Sequence, residues 1–117
     1  KPSFDSSVLK SLKETACDDL TLLRELVDMF LADTPEKIRE MLHASDASDP
    51  KRLENAAHQL KSSSGNLGAM QLTELCQQIL LICRSGSVDS AAELISRVDL
   101  EFQSVKVAME KERNNLT

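Results

Sequence analysis

The sequence predicts an all-α protein, an antiparallel up-down four-helix bundle with a short N-terminal helix. Three observations carry that prediction. Only 3 of the 117 residues are Gly and 3 are Pro, so the chain has few of the punctuators that a turn-rich β fold needs. Apolar residues make up 41% of it but aromatic ones only 3%, with neither Trp nor Tyr. That is enough to fill a core, yet poor in the large rings of β-sandwich interiors. Finally, apolar residues recur at spacings of three and four over four long stretches, the period of helices that each bury one face. The length leaves room for a single domain, residues 1–117.

The first stretch is short. Asp5 or Ser6 can cap it, and Val8, Leu9 and Leu12 give it one apolar stripe before Thr15-Ala16-Cys17, so it is expected to lie across one end of the bundle. From Asp18-Asp19 a stronger pattern begins, with Leu23, Leu26, Val27, Phe30 and Leu31 on one face and acids in the first turn. Thr34-Pro35 could open a new helix. However, Ile38, Met41 and Leu42 continue the register from Leu31, which predicts one long helix to Ala44 that Pro35 can kink.

Ser45 to Pro50 reads as a turn, with Asp49 capping the next helix and Pro50 at its first position. Leu53, Ala56, Ala57, Leu60 and Ser64 mark the inner face of that helix, and Gly65-Asn66-Leu67-Gly68 ends it. A further helix runs from Met70 to Arg84 with Leu72, Leu75, Cys76, Ile79 and Cys83 inward, stopped by Ser85-Gly86. In the last, Val88, Ala91, Ile95, Val98, Phe102, Val105 and Met109 alternate steps of three and four, a seam that demands a helical partner. Burying such a stripe is favourable by roughly 1.5 to 3 kcal/mol per large side chain. The four long segments should therefore pack together, and short connections make neighbours antiparallel. No internal repeat or low-complexity segment interrupts them.

Composition also excludes functions. Lys and Arg number 14 against 19 Asp and Glu, a net charge of -5, so no global positive field attracts nucleic acid. With no βαβ alternation and no glycine-rich phosphate loop, an ATP site is not expected. Cys17, Cys76 and Cys83 form no C-x-x-C pair, which suggests neither a disulfide framework nor a zinc site but reduced, half-buried thiols. The absence of an 18-residue apolar run or a signal segment points to the cytoplasm, with no direct membrane insertion. The chain opens on Lys1 rather than Met, as an excised domain would.

Two histidines remain as candidates for chemistry. With Leu53 at zero and about 100° per residue, Ala57, Leu60 and Ser64 cluster within about 40° of it, whereas His58 falls near 140°. On that outer face stand Glu54 (about 100°), Lys61 (about 80°), Ser62 (about 180°) and Gly65 (about 120°). The imidazole thus has a cation one turn on and two tiny neighbours, which leave it sterically uncovered for a macromolecular partner. By helix position alone this is also an ordinary surface histidine with an ordinary lysine. His43, beside Met41, Leu42 and Ala44, suits a favourable interaction with its own helix end. Ser62-Ser63-Ser64 lacks the elbow of a nucleophilic serine and reads as small helix surface plus an inward Ser64. The segment Glu110 to Arg113 is a solvated, mixed-charge helix end.

The string His58-Gln59-Leu60-Lys61-Ser62-Ser63-Ser64-Gly65-Asn66-Leu67-Gly68-Ala69 closely resembles the signature of histidine-containing phosphotransfer (HPt) domains, H-x-L-K-G-S-S-x-x-x-G-A. Phe30 to Pro35, Ala56-Ala57 and Arg84-x-Gly86 resemble the flanking family pattern, so that the similarity covers residues 19–105. Two positions depart from it. Ser62 stands where the family has glycine, and Leu80 where it often has Gln or Glu beside the histidine. A leucine cannot hydrogen-bond the ring; Gln77, one turn earlier on the same face, is a candidate substitute.

The resemblance implies a four-helix bundle and a phosphorelay intermediate, with His58 taking a phosphoryl group from the aspartyl phosphate of one receiver domain and passing it to another. Free imidazole titrates near 6.5, so much of it is neutral and nucleophilic at about pH 7. Lys61 is placed to offset the arriving charge. No cofactor is expected on this chain, and magnesium would belong to the receiver. Response-regulator receiver domains are the expected partners, with a hybrid sensor histidine kinase in cis as another arrangement, nucleic acid excluded, and a monomer sufficient. Glu54, Ser62 and Gly65 would form the docking face. Two other readings stay open: a non-catalytic helical adaptor using the same face, and a bundle that dimerises through the Val88 to Met109 seam.

Overall fold

The computed structural model describes residues 20–114, and within them every regular element is helical: α1 (Leu20–Asp46), α2 (Pro50–Asn66), α3 (Met70–Arg84) and α4 (Ala91–Asn114). The short N-terminal helix expected around Val8 to Leu12, together with Cys17, lies outside the described residues. Each helix packs on the next and α4 returns to α1, closing the ring of an up-down bundle.

The boundaries follow from local chemistry. The Asp49 side chain accepts a hydrogen bond from the Arg52 N–H at 3.1 Å, and Pro50 occupies the first turn, where its missing donor costs nothing. At the other end of α2 the chain reverses through Gly68 at φ 83°, a left-handed conformation that glycine adopts without strain. There the Ser64 carbonyl accepts the Ala69 N–H at 2.9 Å, which ties the turn back onto the helix. Pro35 does not break α1. The helix continues through it, and the adjacent buried Thr34 satisfies its hydroxyl by donating to the Phe30 carbonyl at 2.7 Å.

One apolar core joins all four helices, from Leu23, Val27, Phe30, Ile38 and Met41 on α1 to Ile95, Val98, Phe102, Val105 and Met109 on α4. Phe30 and Phe102 meet edge to face with centroids 6.1 Å apart. Three expectations need correction. Leu26 and Leu42, read as inward, are 42% and 40% exposed. Leu26 sits at the margin of the α1 stripe, in a groove beside Asn66 and Leu67 where α2 ends, so no helix covers it. Leu42 lies at the opposite margin, about 100° around from Leu23 and Met41. The last helix starts at Ala91 rather than Val88, because Ser90 takes a φ of 70°; Val88 packs against the core from the preceding turn.

Candidate functional site

α2 separates two environments along one helix. Leu53, Ala56, Ala57, Leu60 and Ser64 are buried on its inner face, whereas His58 and Ser62 are exposed on the outer face, with Glu54, Lys61 and Gly65 half-buried along its margin. The wheel positions derived from periodicity are therefore realised, and His58 projects from a rigid, well-packed helix rather than from a loop.

The antiparallel turn between α2 and α3 fixes what faces this margin. Ser64 and Thr73 share a hydroxyl hydrogen bond of 2.8 Å, and one turn further from the connection the Lys61 ammonium donates to Gln77 Oε1 at 2.6 Å. The same stepping brings His58 level with Leu80 and Glu54 level with Arg84, and these four side chains, with Asn55 and Gln59, line one open groove of about 390 Å³. Leu80 is buried beside the histidine, as the resemblance implied, and presents an apolar wall to it. Gln77, the candidate substitute, reaches Lys61 instead of the ring.

Gly65 lies against α3: a methyl group built on it would stand 3.7 Å from Thr73 Oγ1, an ordinary contact, so packing does not demand glycine there. Glu54 makes a 3.8 Å ion pair with Lys51, which is largely exposed. On the other side of α2 a wider groove of about 680 Å³, open towards α1, is lined by Leu26, Met29, Lys37, Gln59 and Ser63. Met29 is 59% exposed there, and Gln59 borders both grooves. Farther along, Arg52 donates to both Glu40 carboxylate oxygens, from Nε to Oε1 and from Nη2 to Oε2 at 3.1 Å. That hydrogen bond holds the Glu40 carboxyl below its ordinary titration range, and Glu40 in turn raises that of Arg52.

Among the described residues, the Cys76 and Cys83 thiols are buried. Burial pushes Cys76 up to about 12, with Lys61 pulling weakly the other way, and burial followed by Glu54 raises Cys83. His43 is exposed in the last turn of α1 and does not line the His58 groove. Among the described residues, no three His, Cys, Asp or Glu side chains gather into a metal site, and no helix is long and apolar enough to cross a membrane. Sequence reading missed Arg84 and Asn55 as neighbours of the histidine, and Leu26 and Met29 as the lining of the adjoining groove. Counting outward from the Leu67 to Ala69 turn, where pairs such as 64 with 73 and 61 with 77 oppose each other, would have found Arg84 across from Glu54.

Comparison with known proteins agrees with this geometry. The Hpt domain family model matches residues 25–108. The fold superposes on histidine-containing phosphotransfer protein B from Pseudomonas aeruginosa PAO1 with a TM-score of 0.89 at 32% identity, covering 97% of this chain and 96% of that one. Histidine-containing phosphotransfer protein 2 of Arabidopsis thaliana is 26% identical over 105 residues, which make up 87% of this chain and 66% of that relative's length. The same fold, at TM-score 0.83, 18% identity and coverage of 96% and 95%, occurs in a Saccharomyces cerevisiae histidine phosphotransfer signaling protein, solved with the receiver domain of its downstream response regulator.

Proposed function

Because the chain belongs to the Hpt domain family, we propose that it is a phosphorelay intermediate: His58 accepts a phosphoryl group from the aspartyl phosphate of one receiver domain and delivers it to the aspartate of another. The observation that carries this reading is the exposed His58 on the outer face of a packed helix, one turn from Lys61 and unobstructed by Ser62.

In the forward step a ring nitrogen of neutral His58 attacks phosphorus. The N–P bond forms, the acyl phosphate P–O bond breaks, and the receiver carboxylate leaves with the electron pair. The return step reverses this onto a second receiver. Phosphoryl transfer needs in-line positioning and charge stabilisation more than covalent help, so this chain supplies a nucleophile, the Lys61 cation and a docking surface. The receiver supplies its aspartate and its magnesium.

The docking surface extends to both sides of α2. Ser62 and Gly65 keep the histidine side low, Glu54 adds a charge to it, and Leu26 and Met29 on α1 add exposed apolar area within the adjoining groove, a composition suited to a protein partner. The relay acts in the cytoplasm and needs only a monomer, either as a separate protein or beside a hybrid kinase.

Mixing the protein with a phosphorylated receiver tests this directly. The parent should acquire an acid-labile, alkali-stable label, and His58→Gln should acquire none while melting like the parent, because the exposed ring contributes little to packing. Label on His58→Gln would remove His58 as acceptor. A parent that binds receiver but is never labelled would leave the adaptor reading.

A further inference from the structure

We infer that Gln77 is a positioning residue for Lys61: it holds the ammonium at the α2–α3 groove through an uncharged acceptor, so that the cation stands beside His58 with its charge uncancelled. This deepens the proposed relay and rests on it. Two observations carry it. The 2.6 Å hydrogen bond from Lys61 Nζ to Gln77 Oε1 crosses between helices at residues 16 apart in sequence. Lys61 is moreover half-buried, so its side chain lies along the groove instead of extending into solvent, on the side of the buried Cys76, the residue next to Gln77.

The physical reasoning turns on what a lysine does when nothing holds it. Its four-carbon stem samples many rotamers, and a strongly hydrated ammonium gains little by staying near one site. A hydrogen bond to a neutral carbonyl selects one position and is strengthened by the donor's charge. A carboxylate at the same place would select it too, but it would offset the charge that the arriving phosphoryl group needs. The amide thus orients without neutralising. The neighbouring rung, Ser64 to Thr73, fixes the backbone beneath it, because the Ser64 hydroxyl also lies 3.2 Å from the Lys61 carbonyl. Leu80 completes the arrangement: with an apolar side chain level with His58, the polar contact across the groove falls one turn along, on the lysine instead of the ring.

The test is a double-mutant cycle on the transfer reaction, with receiver affinity and melting temperature recorded in parallel. Gln77→Ala and Gln77→Met should each slow phosphoryl transfer, or shorten the phosphohistidine lifetime, by about threefold to tenfold at unchanged receiver affinity. In a Lys61→Ala background the same substitutions should have no further effect. Gln77→Glu keeps an acceptor but cancels charge, and should also fall below the parent, an outcome that a merely structural hydrogen bond does not predict. Parent-like transfer in Gln77→Ala and Gln77→Met, an effect that persists undiminished without Lys61, or a Gln77→Glu faster than the parent would each overturn the inference. Failure of the relay itself looks different, since the parent would then take no label on His58.

Discussion

Two seams of the bundle share one apolar interior but differ in what lines them. Between α1 and α4 lie apolar residues of the common core, Leu23, Val27, Phe30 and Met41 on one helix and Ile95, Val98, Phe102, Val105 and Met109 on the other, and two of the chain's three phenylalanines meet edge to face. Between α2 and α3 the interior is apolar too, with Leu53, Leu60, Leu72 and Ile79 buried, but the outer margin is small or polar, with Ser64 on Thr73, Lys61 on Gln77, and Gly65 where an added Cβ would come within van der Waals reach of Thr73. The first seam excludes water and anchors the fold. The second lets two helices lie close while leaving the outer edge of α2 open to a partner. The α1–α4 seam thus lies away from His58, while the α2–α3 seam carries both core packing and the polar margin beside it, so substitutions in the far seam should separate stability from chemistry.

The largest effect should come from the apolar seam. Phe102→Ala removes a buried ring and its partner for Phe30, and should cost about 3 to 5 kcal/mol in a denaturant melt. At temperatures where that variant remains folded, phosphoryl transfer should match the parent. Loss of transfer in the folded variant would break the comparison, by showing that the far seam sets the geometry of His58.

The same division explains what could be read from the sequence. Periodicity identified α2 and α3 almost to the residue and α4 to within a turn or so at each end, because each buries one unambiguous stripe, and capping chemistry at Asp49 and Gly68 set the ends of α2. Leu26 and Leu42 misled because a stripe's margin is buried only where a neighbouring helix extends far enough to cover it. His58, Lys61 and Ser62 were legible because they share one helix, so a single rotation per residue places them. Gln77 and Arg84 reach the site from another helix. Gln77 was found only as a partner for the ring, since hydrogen-bond choice between a lysine and an imidazole depends on side-chain reach that spacing does not contain.

A smaller effect tests the open edge. Helical side chains lean towards the N-terminus of their helix, so a residue at 62 leans over His58 and one at 65 over Lys61. Ser62→Arg should therefore cover the imidazole, and Gly65→Gln the ammonium. Both replacements are good helix formers, and a Cβ at 65 meets only an ordinary contact, so melting should stay at or above the parent value. Receiver affinity and transfer should fall together, by about tenfold or more, in a titration with labelled receiver. Full affinity in both variants would move the docking face elsewhere, and the openness of the α2–α3 seam would lose its functional reading.

The smallest effect concerns a contact that belongs to neither seam. Glu40 on α1 and Arg52 on α2 form a two-pronged ion pair with about two-fifths of each side chain exposed to solvent (41% and 42%), which screens it. Because the Arg52 hydrogen bond lowers the Glu40 pKa from 4.5, the folded state binds that proton less readily than the unfolded chain. The stabilisation is therefore present above the unfolded value and is lost as pH falls through the depressed folded one. Glu40→Gln should melt slightly below the parent at pH 7, with the gap closing as pH drops below 4.5 and also as salt is raised. Phosphoryl transfer at pH 7 should be unchanged, since neither residue lines the His58 groove. A gap that is independent of pH would mean that Glu40 acts through packing rather than charge. A loss of transfer would instead show that the spacing of α1 and α2, and with it the apolar groove at Leu26 and Met29, is set by this pair.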